Sequence, residues 1–232
     1  MNILAVDTAG KSAGVAILSD GALRCEYTLN AGFTHSETLL PLVDTALRGT
    51  GLTLAQIDLF GANAGPGSFT GLRIGLAAVK GLALPRQTPC AGVSTLEALA
   101  ACHAGEGTVV PVLDARRGQV YWAAFDLASH MRLTPDEAAP AAALAPFLEN
   151  CKKPFFFVGD GAALCYNKYG QTEGCLFVPA AAGASRAAGT ALAALRLFEA
   201  GGAVAPAALL PRYHRLSQAE RERAEREAAQ NT

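Results

Sequence analysis

The chain has 232 residues, of which 51% are hydrophobic and 17% charged, a composition that excludes a disordered polypeptide and is enough to bury a substantial core. Its formal net charge of −1 argues against unaided binding to RNA or DNA, because such affinity comes mostly from neutralising phosphates. Any nucleic acid would have to be held mainly by a partner.

Met1–Asp7 reads directly as a strand, without a basic or apolar leader, and the most apolar window, 74–84, is broken by Lys80 and glycines. No membrane span is expected, and the location expected is cytoplasmic. Six cysteines (Cys25, Cys90, Cys102, Cys151, Cys165, Cys175) form no C-x-x-C pair and are expected as small, mostly buried thiols in a reduced compartment.

In chain order, Ile3–Asp7, Gly14–Leu18 and Leu23–Leu29 are short β-rich runs joined by turns, as in an antiparallel meander. A helical spacing follows over 36–47, with Thr34 or Ser36 as N-cap, Glu37 in the first turn and Pro41 inside the pattern. Then come a strand over 57–63, a helix over 68–84, a strand over 89–93 and a helix over 95–103. This βββαβαβα unit occupies residues 1–105. A break at Gly105–Gly107 precedes a partial restart over 106–210: a hairpin around Arg116–Gly118, a helix over 136–148 and a strand over 155–158. A helix after Gly161, a strand over 175–178 and a helix over 185–200 complete it. The pattern suggests a duplicated two-lobed α/β protein with an abbreviated second lobe, followed by an Arg/Glu-rich tail over 211–232.

The segment Gly65-Pro66-Gly67-Ser68-Phe69-Thr70-Gly71 joins strand to helix as phosphate-binding turns do. It lacks the lysine of G-x-x-x-x-G-K-[ST], its third glycine falls one residue late for G-x-G-x-x-G, and the next strand does not end in an acid. Gly71, Gly75 and Ala78 line one stripe of the following helix. Each interior glycine costs about 1 kcal/mol of helix propensity, so close approach of another helix is expected there, either the chain's own 35–47 helix or a second protein.

Asp7 and Thr8 at the end of the first strand, Asp114 at the later hairpin, and Gly159 and Gly161 in "VGDGA" resemble a divided nucleotide site between two halves. Each also has an ordinary reading as a turn residue. Four histidines without H-E-x-x-H or H-x-x-x-H spacing, and serines without a G-x-S-x-G elbow, suggest neither a metal site nor a serine nucleophile.

Several stretches, "ILAVDTA", "FTHSETLLPLVDTAL", "GANAGPGSFTGLRIGLAAVKGLAL", "GVSTLEALA", "VPVLDARRGQVYWA" and "LLPRYHRLSQAE", resemble successive motifs of one family. It is the bacterial tRNA threonylcarbamoyladenosine biosynthesis protein TsaB (YeaZ) family. The resemblance implies an actin-like, Hsp70-like and sugar-kinase-like (ASKHA) fold and a part in making N6-threonylcarbamoyladenosine in tRNAs that read codons beginning with A. It implies a non-catalytic scaffold without cofactor, partnered by a TsaD-like transferase and a TsaE-like ATPase, with tRNA bound only through the complex and with a homodimer as a further association. The metal-binding H-x-x-x-H of the catalytic relative would fall on Thr95 and Leu99, neither of which ligates as histidine does. The implied partner surface comprises His35, Leu39, Leu40, Val43, Phe69, Gly71, Leu72, Arg73, Gly75 and Leu76, with Asp7, Thr8, Asp114, Gly159 and Gly161 left as a vestigial nucleotide site. The alternative is an actin-like-fold ATPase or small-molecule phosphotransferase that uses those five residues.

Overall fold

The computed structural model describes residues 1–214, so the expected charged tail lies outside the described residues from position 215 onward. The first sheet has the order β3-β2-β1-β4-β5, formed by β1 (Asn2–Asp7), β2 (Ala13–Ser19), β3 (Ala22–Leu29), β4 (Leu59–Gly65) and β5 (Cys90–Ser94). The first three strands form the expected antiparallel meander, and β4 and β5 extend it in parallel from β1. Parallel strands need crossovers; these are α1 (His35–Thr50) before β4 and α2 (Phe69–Ala83) before β5, with α3 (Thr95–Ala101) following β5.

The second sheet repeats this plan. Its order is β10-β6-β7-β9, from β6 (Thr108–Asp114), β7 (Gln119–Trp122), β9 (Glu137–Pro140) and β10 (Phe155–Val158), with β8 (Phe125–Asp126) also paired to β6. In each sheet the opening strand has an antiparallel neighbour on one side (β2 or β7) and a parallel one on the other (β4 or β10). Helix α4 (Ala145–Asn150) precedes β10 and α5 (Ala162–Tyr169) follows it. This is a two-lobed α/β fold with an abbreviated second lobe.

Two second-lobe elements differ from expectation. The helix expected over 136–148 is divided into β9, a 3-10 turn over 141–144 and α4. Pro140 has no N–H to give and disfavours the helical region for Ala139, whereas the outer edge of a sheet tolerates it. The strand expected over 175–178 shrinks to a single bridge between Phe155 and Cys175, and Pro179 follows soon after. This bridge occupies the place that β5 holds in the first lobe.

Helix α6 (Ala187–Glu199) comes late in the chain yet packs on β1, β2, β4 and β5 and along α3. Its buried face is mostly alanine (Ala187, Ala191, Ala194), and it meets glycines on the sheet. A Cβ added at Gly61 would lie 2.9 Å from Ala194 Cβ, and one at Gly14 would lie 3.3 Å from Ala187 Cβ. Small residues on both sides therefore set the close spacing. The α6 N-terminus is closed by Glu26 of β3, whose carboxylate accepts from the Ala188 N–H at 2.9 Å and pairs with Arg186 at 2.5 Å. Glu26→Ala should lower stability by about 1–2 kcal/mol, read in a urea titration, because the cap and the pair are lost together. An unchanged midpoint would show that α6 is held by packing alone.

Candidate functional site

The strand ends that carry the expected site residues fall at equivalent positions in the two lobes. Asp7 ends β1 and Asp114 ends β6; Gly65, the last residue of β4, opens the turn to Gly67, and Gly159–Gly161 follows β10. The segment before α6 joins the two sets, since Gly183 O accepts from the Gly159 N–H and the Ser185 hydroxyl donates to Asp7. The structure thus brings the five candidate nucleotide residues to one side of the molecule, where the two lobes meet.

Their polar groups, however, are engaged within the chain. Asp7 is 3% exposed, and its carboxylate accepts from the Ala9 N–H at 3.0 Å and from the Ser185 hydroxyl. The Thr8 hydroxyl donates to Gly71 O at 2.8 Å. The Gly159 N–H donates to Gly183 O at 2.7 Å, and the Gly161 N–H to Val112 O at 3.0 Å. Asp114 accepts from the Arg116 N–H at 2.7 Å, and its own N–H donates to Asp160 at 3.0 Å. In the opening glycine turn, the Ser68 N–H donates to Ala9 O, and the Gly71 N–H to the Ser68 hydroxyl that caps α2. A phosphate cradle needs outward-facing N–H groups, and these four point inward.

Burial raises the Asp7 carboxyl above the usual range; hydrogen bonds from Ser185 and Ala9 only partly oppose it. The folded state therefore binds this proton more tightly than the unfolded chain, and stability from this group falls as pH rises from the unfolded value of about 4 through the raised one. Asp7→Asn should raise stability at pH 7 and flatten that part of the pH profile, because the amide oxygen can still accept from the Ala9 N–H while the amide NH2 donates to the Ser185 hydroxyl. A destabilised variant at pH 7 would show that the charge itself is required.

Thr95 and Leu99, the positions corresponding to the relative's metal histidines, are 1% and 2% exposed within the core. Among the described residues no cluster of His, Cys, Asp and Glu is arranged to hold a metal ion. The six cysteines are free; Cys90 and Cys165 are buried and the others half-buried, and burial pushes the Cys165 thiol up to about 12 and those of Cys90 and Cys102 up to about 11. These three resist forming thiolates.

The residues expected at a partner surface divide into two groups. Leu39, Val43, Gly71, Leu72, Gly75 and Leu76 are buried within the chain. The Gly71–Gly75 stripe lies against the end of β1 with the start of α1 beside it: a Cβ at Gly71 would overlap Thr8 O and come within 3.3 Å of His35 Cδ2, and one at Gly75 would overlap Thr8 Oγ1. The stripe lets α2 lie against the end of β1. Leu40 (52% exposed) and Arg73 face solvent, and His35 and Phe69 are half-buried.

A second face of α2, not anticipated from the sequence, does face outward. Thr70, Ala77 and Gly81, with Leu84 just past the last turn, are exposed at i, i+7, i+11 and i+14, and among the described residues nothing lies within 4 Å of a Cβ placed at Gly81. Beside its first turn, Tyr213 stacks on Phe69 with ring centroids 4.6 Å apart, and Arg73 lies 3.9 Å from the Phe69 centroid while its Nε donates to the Tyr213 hydroxyl at 2.8 Å. The pairing of Tyr213 with Arg73 spans 140 residues of sequence, too far for local periodicity to signal.

Comparison with known proteins defines the class first. The family model for TsaD, tRNA N6-adenosine threonylcarbamoyltransferase, matches residues 30–220. The ethanolamine utilization protein EutJ from Carboxydothermus hydrogenoformans, 13% identical, superposes with a TM-score of 0.53 over 83% of this chain and 90% of its own, a likeness of fold alone. The molecule is an α/β protein of the actin-like (ASKHA) class.

Nearer relatives narrow this. YeaZ from Pseudomonas aeruginosa is 27% identical with a TM-score of 0.70, covering 91% of this chain and 99% of that one. The tRNA threonylcarbamoyladenosine biosynthesis protein TsaB of Bacillus subtilis is 32% identical over 167 residues, 71% of this chain and 73% of its own length. The Escherichia coli TsaB is 40% identical over 128 residues, a match spanning 54% of this chain and 55% of the relative. The chain belongs to the TsaB (YeaZ) family.

Proposed function

We propose that the chain is a non-catalytic subunit in tRNA N6-threonylcarbamoyladenosine biosynthesis, which binds and supports a TsaD-type transferase. Its curated relatives carry the name of that pathway, and the reading follows from kinship with them. Carrying the scaffold part is the outer face of α2. Gly81 sits in the last turn of α2, where glycine costs up to about 1 kcal/mol against alanine, and among the described residues no contact gives a reason for it. A helix from a partner, packing close along Thr70, Ala77, Gly81 and Leu84, would supply one. Leu40, Phe69, Arg73 and Tyr213 add the aromatic and arginine content typical of interface hot spots.

The inward-pointing groups around Asp7, Thr8, Gly159 and Gly161 support the same reading, since those donors would have to be released before they could hold phosphate. Under this proposal tRNA reaches the chain only through the complex, a TsaE-like ATPase joins the same assembly, and the setting is cytoplasmic. No helix among the described residues is long and apolar enough to cross a membrane. A homodimer through the same face would be the resting association. Affinity capture from the native lysate followed by mass spectrometry should recover a TsaD-like protein as the main partner. Its absence, together with Mg-ATP turnover by the purified chain, would favour the phosphotransferase alternative.

A further inference from the structure

Two cavities of about 280 Å³ open on the surface, and they differ in charge. In one, between β2, α3 and α6, Arg186 is bound by Glu26 at 2.5 Å. The other lies between the C-terminal end of β5 and the last turns of α6, and it is lined by Val93, Ser94, Glu97, Arg196, Leu197 and Arg212, among others. Its one acid, Glu97, is turned to Arg132 at 3.1 Å, an arginine that it shares with Asp136. Arg196 and Arg212 make no ion pair among the described residues.

Both arginines sit on fixed backbone. Arg196 is half-buried on α6, and the Arg212 N–H donates to Ala64 O at 2.7 Å, just beyond Leu209, which is buried against Gly92. The Ser94 hydroxyl oxygen accepts from the Glu97 N–H at 3.2 Å, which fixes this side chain at the cavity wall. Guanidinium groups present forked donors suited to carboxylate and phosphate oxygens, while Val93 and Leu197 offer an apolar wall. At roughly 30 Å³ per water, the space would hold about nine waters or one small metabolite.

We propose that this cavity binds a small organic anion, with a carboxylate or phosphate head between Arg196 and Arg212 and a short apolar body against Val93 and Leu197. The proposal is independent of the scaffold reading. It is tested by calorimetric titration of n-butyl phosphate into the full chain, with ionic strength held constant by sodium chloride. Saturable one-to-one binding is expected, weakened at least about tenfold in the Arg196→Gln/Arg212→Gln double variant and unchanged in Arg24→Gln, a surface arginine elsewhere. Should the double variant fail to fold, the exposed Arg212→Gln change alone should weaken binding about threefold or more. Absence of saturable binding to the unaltered chain, or equal affinity in the arginine variants, would overturn the proposal.

Discussion

Gly71→Ala is expected to lower the unfolding free energy by about 3 kcal/mol, and Gly75→Leu by at least as much. Two effects oppose each other at Gly71. Alanine in a helix gains up to about 1 kcal/mol over glycine, which would stabilise α2. Its Cβ, however, would overlap the Thr8 carbonyl oxygen, and backbone cannot swing aside as the end of a long side chain can. The shift needed would also break the hydrogen bond from the Thr8 hydroxyl to Gly71 O. Overpacking against a strand end exceeds the propensity gain, so the net sign is destabilising. Urea unfolding of the isolated chain checks it, and a Gly71→Ala midpoint at or above that of the unaltered chain would mean the β1–α2 contact is looser than described.

Gly81→Leu should have the opposite profile. None of the described residues occupies the space a side chain would enter, so the isolated protein should hold its stability or gain up to about 1 kcal/mol from helix propensity. The same side chain would stand in the path of a closely packed partner helix. Affinity for a TsaD-type transferase should then fall about 100-fold, near 2.7 kcal/mol, in a titration of the two purified proteins. Retained affinity would place the partner elsewhere on the surface. The contrast between Gly75 and Gly81 separates a glycine needed by the fold from one available to an interface.

Elements with local signals were readable from sequence. The start of α1 is one: of the two expected caps, Thr34 is the N-cap, Glu37 of the first turn accepts from its hydroxyl at 2.7 Å and from its N–H at 3.2 Å, and the helix starts at His35. The start of α2 is another: the helix expected from 68 begins there, with the Ser68 hydroxyl as its cap. Pro41 did not end α1, because it lies in the second turn on the exposed side, where one missing hydrogen bond is tolerated.

What periodicity could not show was what each face meets. Gly71 and Gly75 were readable as a surface for close approach, but the approaching group, Thr8, lies 63 residues earlier and on a strand end rather than a helix. Likewise Asp7, Thr8, Gly159 and Gly161 have the residue types of a nucleotide site. Only the fold reveals that Ser185, Gly71, Gly183 and Val112 already take their hydrogen bonds. Alanine-rich helix propensity over 138–145 gave way to a single proline at the sheet edge.

The central claim is that the chain supports a transferase without performing the transfer. Its most direct test is a reconstituted tRNA threonylcarbamoylation assay containing the threonylcarbamoyl donor and a TsaE-like ATPase, with this chain, a TsaD-type transferase, or both. The account predicts product only when both are present, at an unchanged rate with Asp7→Asn and a strongly reduced rate with Gly81→Leu. Product from this chain without the transferase, or abolition of activity by Asp7→Asn in a folded protein, would contradict it.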